Sequence, residues 1–202
     1  MPPPDRLPRF SRTETLVHRT TSVLVFALLA TGIALYVPAV SVLVGRRSLL
    51  ASVHVLCGLV LPFPMLLGLQ SSPELRADVR LLGRFVDGDA SWLRRADRRT
   101  SSTAGKFNAG QKVASAVFAG TGLVLVATGL LLLAPVGVDL PDSVREGATF
   151  THDAATFGLL ALLLGHLWEA WRHPEARRAL RTGSMDRAYA SREHPAWYDE
   201  GR

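Results

Sequence analysis

Four of the six histidines in this 202-residue chain lie at or inside long apolar stretches, an unusual setting for an imidazole. They are His18, His54, His152 and His166. An ionisable group within a membrane span is costly, faces the interior of the helix bundle and marks a functional site. The chemistry open to such histidines is axial ligation of a haem iron, proton relay, simple placement at the membrane interface, or a metal site. Zinc is disfavoured, because structural zinc takes four close ligands and no Cys or carboxylate partners accompany these histidines.

The apolar stretches are four windows without any of the 23 Lys and Arg residues of the chain. They cover residues 20–38, 49–69, 113–134 and 150–168. Each is about as long as a helix that crosses a ~30 Å hydrocarbon core. The pattern predicts an all-α integral membrane protein, in which four transmembrane helices form a bundle and residues 1–202 form a single membrane domain. No internal repeat is evident.

The basic residues alternate between the connecting segments. The segment before the first window holds four Lys and Arg, the loop 70–112 holds nine and the tail 172–202 holds seven, whereas the other two loops together hold three. Cytoplasmic loops carry the excess of Lys and Arg. We therefore expect a multi-pass protein of the cell membrane with both termini and the 70–112 loop in the cytoplasm. Membrane topology thus explains the placement of the basic residues and the net charge of +6. Nucleic acid is therefore not an expected partner.

The topology sorts the four histidines into two levels. His18 and His166 lie at the cytoplasmic edge, and His54 and His152 lie near the outer edge. His152 and His166 are fourteen residues apart, so they share one helix face to within about 40° and are separated by ~21 Å along the axis. Each level then has two imidazoles from different helices, which is what a six-coordinate haem b requires. The spacing favours two haems over interfacial histidines, a proton relay or a metal site.

The cytoplasmic segments show short amphipathic patterns. Residues 72–74 form a helix-start signature, apolar residues recur at helical spacing over 75–86, and residues 87–89 end the predicted helix. A second short helix should run from Pro174 to the stop at Gly183. The segment before Thr13 is predicted to be irregular, and His173 and His194 in the tail are predicted to be solvated.

The segment GKFNAGQK, residues 105–112, precedes the third window at the depth of the inner histidine pair. Asn108 and Gln111 are neutral hydrogen-bonding groups, and Gly110 offers backbone without a side chain. Polar groups beside an apolar bundle suit a quinone, whose carbonyls need donors. Helix capping by Asn108 and snorkelling by the flanking lysines explain the same residues nearly as well.

Several motifs together resemble the gamma (cytochrome b) subunits of membrane-bound formate dehydrogenases, and the resemblance covers nearly the whole chain. They are RFSRTETLVHR before the first window, HVLCG in the second, GKFNAGQK followed by LVATG in the third, the pair of histidines with thirteen residues between them in the fourth, and the tail RTGSMDRAYASREHPAWYDE. Phe107 departs from the family, in which Tyr is common at this position.

The resemblance implies a transmembrane electron-transfer subunit with two b-type haems and no catalytic site for formate. His18 and His166 would ligate the inner haem, and His54 and His152 the outer haem. A menaquinone or ubiquinone would bind near Asn108 and Gly110. Gln111 is a further candidate residue of that site. The implied partners are an iron–sulfur (beta) subunit and a molybdenum or tungsten catalytic (alpha) subunit, besides membrane lipid.

Two other functions remain open from the sequence. The same di-haem cytochrome could serve another molybdopterin oxidoreductase or a hydrogenase, since no residue identifies the partner's substrate. The chain could also be a haem-free membrane anchor. A transporter is disfavoured, because neither a broken helix nor an intramembrane pair of carboxylates is visible.

Overall fold

Four long helices dominate the protein, and all four are apolar enough to cross a membrane. A computed structural model describes residues 5–94, 105–133 and 139–200. The candidate spans are Arg12–Tyr36, Arg47–Ser71, Ala109–Leu132 and Asp142–Arg172. These helices confirm the predicted all-α integral membrane class. The predicted end of the third window, at Ala134, lies outside the described residues.

The first two spans are interrupted or ended by proline. Helix α1 runs Arg12–Tyr36 and is followed by the short helix α2, Pro38–Val44, with Pro38 in its first turn. The second span consists of α3, Arg47–Val60, and α4, Phe63–Ser71. Pro62 separates α3 from α4, because it has no N–H to donate and its ring clashes with the preceding turn.

The other two spans are single helices. Helix α7 runs Ala109–Leu132, and α8 runs Asp142–Arg172 over 31 residues. At 1.5 Å per residue α8 is about 46 Å long, which exceeds the hydrocarbon core. The apolar window at 150–168 therefore marks the part of α8 that the bilayer buries, while the helix itself continues at both ends.

Large apolar side chains on the spans point away from the protein. Val23, Leu123 and Phe150 are 68%, 72% and 76% exposed. In water such exposure would be a liability, whereas lipid tails are as apolar as these side chains. The exposed faces therefore support burial of the four helices in lipid.

Short helices follow the second and fourth spans. Helix α5, Pro73–Leu82, begins at Ser72, whose Oγ accepts a hydrogen bond from Leu75 N at 3.1 Å. It ends at Gly83, earlier than predicted, and a separate helix α6 covers Asp89–Arg94. The tail forms α9, Pro174–Thr182, as predicted, then α10, Arg187–Glu193, and α11, Pro195–Glu200.

Part of the N-terminal segment forms a strand, contrary to the prediction that this segment is irregular. Residues Arg6–Pro8 form strand β1, which pairs antiparallel with strand β2, Ser184–Asp186, in the register Leu7 to Met185. Three residues per strand give almost no sequence signal, and the partner lies about 180 residues away, so only the folded chain reveals the pairing. Met185 is 1% exposed and anchors a small apolar core with Ala179 and Ala190.

The chain divides into two compact units. The span unit consists of Val17–Gly68 and Ala119–Leu163, and the terminal unit consists of Met1–Leu16, Leu69–Phe118 and Leu164–Arg202. The span unit thus contains most of the apolar helices. The terminal unit contains both chain ends, the loop between the second and third spans and the small sheet.

Candidate functional site

His54 and His152 lie close together within the span unit. The centroids of their imidazole rings are 6.3 Å apart, and the ring planes are inclined by 67°. His54 lies on α3 and His152 on α8, so the two imidazoles come from different helices. The structure therefore brings together the pair predicted for the outer level.

Each of these imidazoles is held by a threonine on a further helix. Thr31 Oγ1 of α1 lies 2.9 Å from His54 Nδ1, and Thr128 Oγ1 of α7 lies 2.9 Å from His152 Nδ1. Both hydroxyls donate to backbone carbonyls four residues earlier, Thr31 to Ala27 O and Thr128 to Val124 O, at 2.7 Å each.

These contacts assign the tautomer of both histidines. A hydroxyl has a single hydrogen to donate, so a threonine that donates to its own helix must accept from the imidazole. Nδ1 of His54 and of His152 consequently carries the proton. Nε2 is left with its lone pair, which is the form in which a histidine ligates a metal.

The spacing of the two rings fits a single iron between them. Two metal–nitrogen bonds of about 2 Å, together with the radii of the two rings, separate imidazole centroids by about 6 Å. Gly32 and Gly129 lie beside these rings, where a Cβ would make an ordinary contact with Cε1 at 3.4 or 3.5 Å. The donor set, its tautomer and its spacing fit a b-type haem, which His54 and His152 would hold.

The two threonines belong to an internal repeat that the sequence analysis missed. Residues 30–35 read ATGIAL and residues 127–132 read ATGLLL. Thr31 precedes its histidine by 23 residues and Thr128 precedes its histidine by 24. The signal was therefore present as a short motif 23 or 24 residues before a histidine, although it is too brief to stand out without knowledge of the contacts.

The inner histidines fall into different units. His18 is exposed and belongs to the span unit, and His166 belongs to the terminal unit, with its ring 5.7 Å from that of Phe118. Their pairing around a second haem stays a prediction from the sequence.

The GKFNAGQK segment lies in the terminal unit and starts α7 with a capping box. Asn108 Oδ1 accepts from Gln111 N at 2.9 Å, and Gln111 Oε1 accepts from Asn108 N at 3.0 Å. Capping was one of the two roles expected for Asn108. The capping box does not exclude quinone binding, because each amide uses only its oxygen in the cap. The NH₂ groups of both side chains are left to donate hydrogen bonds.

Helix α6 packs beside the start of α7. A Cβ on Gly110 would lie 3.0 Å from Cη2 of the Trp92 indole, and Lys112 Nζ contacts Asp89 Oδ2 at 2.8 Å. Trp92 therefore covers the backbone at Gly110. An aromatic face beside two amide donors is a suitable setting for a quinone ring.

Two buried carboxyls, of Glu14 and Asp78, meet the half-buried Lys106 of the GKFNAGQK segment, and we call these three residues the acid–lysine cluster. Lys106 Nζ lies 2.6 Å from Asp78 Oδ1 and 3.8 Å from Glu14 Oε1. Burial and the neighbouring carboxyl of Glu14 raise the pKa of Asp78 to about 7, although the ammonium of Lys106 opposes the shift. The sequence analysis did not single out these residues, since they come from three distant segments.

The C-terminal tail also contacts the segment. His194 is 4% exposed, and its Nδ1 donates to Gly105 O at 2.9 Å, so the prediction that His194 is solvated is wrong. Burial, assisted by the positive charge of Arg9, lowers the pKa of His194 to about 4. The Arg9 guanidinium itself donates to Lys106 O and lies 4.9 Å from the centroid of Trp197. Both chain ends thus hold the residues immediately before α7.

Comparison with known proteins places the chain among membrane cytochromes. The family model described as prokaryotic cytochrome b561 matches residues 9–185. The cytochrome b556 subunit of nitrate-inducible formate dehydrogenase from Escherichia coli (strain K12) is 30% identical over 97 residues, which is 48% of this chain and 45% of that subunit. The corresponding subunits of Escherichia coli O157:H7 and Shigella flexneri match with the same values. The alignments thus span about half of this chain and slightly less than half of these relatives.

Proposed function

The chain belongs to the prokaryotic cytochrome b561 family, a family of multi-pass membrane proteins with b-type haem, and on this basis we propose that it is a transmembrane electron-transfer subunit with two such haems. It would receive electrons from an iron–sulfur partner and reduce a membrane quinone. The likeness to the cytochrome subunit of a formate dehydrogenase supports a formate dehydrogenase complex as its setting.

The observation that carries this proposal is the geometry of His54 and His152. Their imidazoles lie 6.3 Å apart between centroids, and each has its Nδ1 proton accepted by a threonine of the repeat. Haem, when bound, supplies a one-electron carrier in an apolar surrounding. This chain would present the Nε2 lone pairs of the two histidines in a fixed orientation. The two threonines fix that orientation through hydrogen bonds rather than through charges.

The remaining residue roles follow from the sequence and are part of the proposal. His18 and His166 would hold the inner haem, and Asn108, Gly110 and Gln111 would bind the quinone near it. The termini would lie in the cytoplasm, as the distribution of Lys and Arg indicates. The partners would be an iron–sulfur subunit and a molybdenum or tungsten subunit that acts on formate.

The direct test is the haem content of His54→Ala in purified complex. We expect the variant to contain one b-type haem per chain, because the outer site has lost a ligand while the inner site is intact. The pyridine haemochrome spectrum counts the haems, and the matched control His173→Ala, a histidine outside the spans, should retain two.

Two haems in His54→Ala would refute the assignment of the outer site, and the absence of b-type bands from the native chain would favour a haem-free anchor. Mass spectrometry of the subunits that co-purify distinguishes a formate dehydrogenase from another molybdopterin oxidoreductase or a hydrogenase.

A further inference from the structure

The acid–lysine cluster joins three segments of the terminal unit: the first turn of α1, helix α5, and the residues just before α7. We propose that Glu14, Asp78 and Lys106 relay protons from the cytoplasm to the quinone site at the start of α7. The inference rests on the proposed function, because it requires that a quinone is reduced near Asn108. Lys106 is two residues from Asn108 in the chain.

The charges of the cluster do not balance. The side chains of Glu14, Asp78 and Lys106 are only 6%, 7% and 15% exposed, yet two carboxylates share a single ammonium. Arg9 is the next cation and acts on Asp78, but its guanidinium donates to Lys106 O and forms an ion pair with neither carboxylate among the described residues. Burial and the like charge of the neighbouring carboxylate therefore favour protonation of one of the two acids. A structural ion pair with the ammonium needs only one acid. A second acid allows the site to take up and release a proton.

The ion-pair partner of Glu14 Oε1 is the ammonium of Lys106, at 3.8 Å, which is beyond hydrogen-bond length. Glu14 Oε2 accepts from Ser11 N at 2.6 Å, whereas Oε1 is buried and makes no hydrogen bond with the described residues. A buried polar atom of this kind is rare in folded proteins and calls for a functional explanation. A carboxyl that interacts with a neighbouring acid able to carry a proton, here Asp78, is such an explanation.

A cavity connects this carboxyl with the exterior. Its volume is about 240 Å³, which is room for several water molecules. The residues that line it are Pro8, Arg9, Phe10, Ser11, Glu14, Glu74 and Lys106. Glu74 is exposed, so the cavity extends from the protein surface to the buried side of Glu14 and Lys106.

The charged surroundings set the working range of the relay. Asp78 is faced by Glu14 from α1, by Lys106 before α7 and by Arg9 from the N-terminal segment, while exposed Glu74 acts on Glu14. Burial lowers the pKa of Arg9 to about 10, so its guanidinium stays protonated. With the pKa of Asp78 raised to about 7 by burial, that carboxyl exchanges protons near neutral pH, as a proton donor should.

The proposed step is balanced as follows. A quinone accepts two electrons from b-type haem and two protons, its two carbonyl groups become hydroxyls, and the product is a quinol. For each proton the O–H bond of a carboxyl in the cluster breaks as a quinone O–H bond forms, through ordered water where contact is not direct. Cytoplasmic water then protonates the carboxylate again through the cavity.

The test measures haem reduction by a quinol in membranes that contain the complete complex. Stopped-flow absorbance follows b-type haem after addition of menadiol, which must release protons as it gives up electrons. We expect Asp78→Asn and Glu14→Gln to slow this reaction roughly tenfold or more and to remove the wild-type dependence on pH near 7. Haem content and the dithionite-reduced spectrum should be unchanged in both variants, and acetate or azide should partly restore the rate.

Glu169→Gln is the matched control, since Glu169 is an exposed acid of the terminal unit paired with Arg172 at 3.8 Å. It should behave as wild type. Wild-type rates and pH profiles in both cluster variants would overturn the relay, whereas failure of menadiol to reduce wild-type haem would overturn the proposed function instead.

If a cluster variant loses haem, Asp78→Glu is studied instead, because it keeps the carboxyl but changes its position. Infrared difference spectra of wild type and Asp78→Glu, recorded on quinone reduction, must then differ in the carboxyl C=O band. Identical bands in the two proteins would equally overturn the relay.

Discussion

At the scale of single residues, Thr31 and Thr128 have the clearest chemical role that the structure reveals. Each hydroxyl donates to its own helix and accepts from Nδ1 of a histidine on another helix, so the threonine controls both the tautomer and the orientation of the ring. A partner that accepts the second N–H of a ligating histidine makes the ligand more basic. In the proposed function the two threonines would therefore influence the electron density at the outer haem without contacting it.

We expect Thr31→Val and Thr128→Val each to raise the midpoint potential of the outer haem. Loss of the acceptor makes the imidazole a poorer electron donor, which destabilises ferric iron relative to ferrous iron. The shift should be a few tens of millivolts, equivalent for one electron to a hydrogen bond of about 1 kcal/mol. A redox titration of the b-type bands measures it.

Thr31→Ser is the control for this prediction, because it retains the hydroxyl and should retain the potential. A valine variant with unchanged potential and unchanged haem content would contradict the role of the threonine.

At the scale of elements, the start of α7 is determined by its neighbours as much as by its own sequence. Trp92 of α6 covers Gly110, Lys112 pairs with Asp89, and His194 donates to the carbonyl of Gly105. These contacts bring α6 and the C-terminal tail onto one segment of eight residues. Changes in either element should therefore affect the proposed quinone site.

Gly110→Ala should impair quinone reduction, because the new Cβ would lie 3.0 and 3.1 Å from two carbons of the Trp92 ring and force the indole to move. We expect several-fold higher KM for menadiol with unchanged haem content, and partial recovery in Gly110→Ala with Trp92→Leu. Gly32→Ala serves as the comparison, since its Cβ would meet His54 Cε1 at an ordinary contact distance of 3.4 Å. Equal KM values for Gly110→Ala and wild type would contradict this packing.

The docking of the tail should weaken in acid. Burial lowers the pKa of His194 from 6.5 to about 4. Between pH 4 and 6.5 the docked tail therefore binds fewer protons than the undocked tail. The stabilisation is complete above pH 6.5 and is lost as the pH falls towards 4, by up to about 3 kcal/mol. Amide hydrogen exchange in α10, corrected for intrinsic rates, should accelerate roughly tenfold or more between pH 6.5 and 5.

His194→Asn provides the control for the acid effect, because its amide can replace the Nδ1–H donor and does not titrate. It should remove most of the pH dependence. The same acceleration in this variant would assign the effect to another group.

At the scale of the whole molecule, the candidate haem site and the candidate quinone site belong to different units. The outer histidine pair lies entirely in the span unit, whereas the GKFNAGQK segment and the acid–lysine cluster lie entirely in the terminal unit. Electron transfer across the membrane with proton uptake on the cytoplasmic side needs these two functions in different places. The topology decides whether that charge separation occurs.

Labelling of engineered cysteines tests the topology. Cys57 is the single cysteine of the chain, so Cys57→Ser gives a cysteine-free background. In intact spheroplasts we expect a membrane-impermeant maleimide to label Ser48→Cys and Ser143→Cys, and to label Ala90→Cys and Ser191→Cys only after lysis. The reverse pattern would place the termini outside and would reverse the direction of proton uptake.

The sequence by itself determined the membrane class, the four spans and the four histidines, because hydropathy, charge alternation and helical spacing are local properties. It also predicted that His54 and His152 lie at one level, and the 6.3 Å between their rings agrees with this. Burial and hydrogen bonding across distant segments are not local, so the sequence could not reveal the pairing of β1 with β2 or the burial of His194.

Only the tertiary structure decided which groups meet these residues. Thr31 and Thr128 look like ordinary small residues of apolar helices until their hydroxyls are seen beside imidazoles 23 and 24 residues later in the chain. Glu14, Asp78 and Lys106 are unremarkable charges in three segments until folding buries two acids around one ammonium. The physical reason is that ligand tautomers and proton affinities depend on a few ångströms of three-dimensional distance, which the order of residues along the chain does not specify.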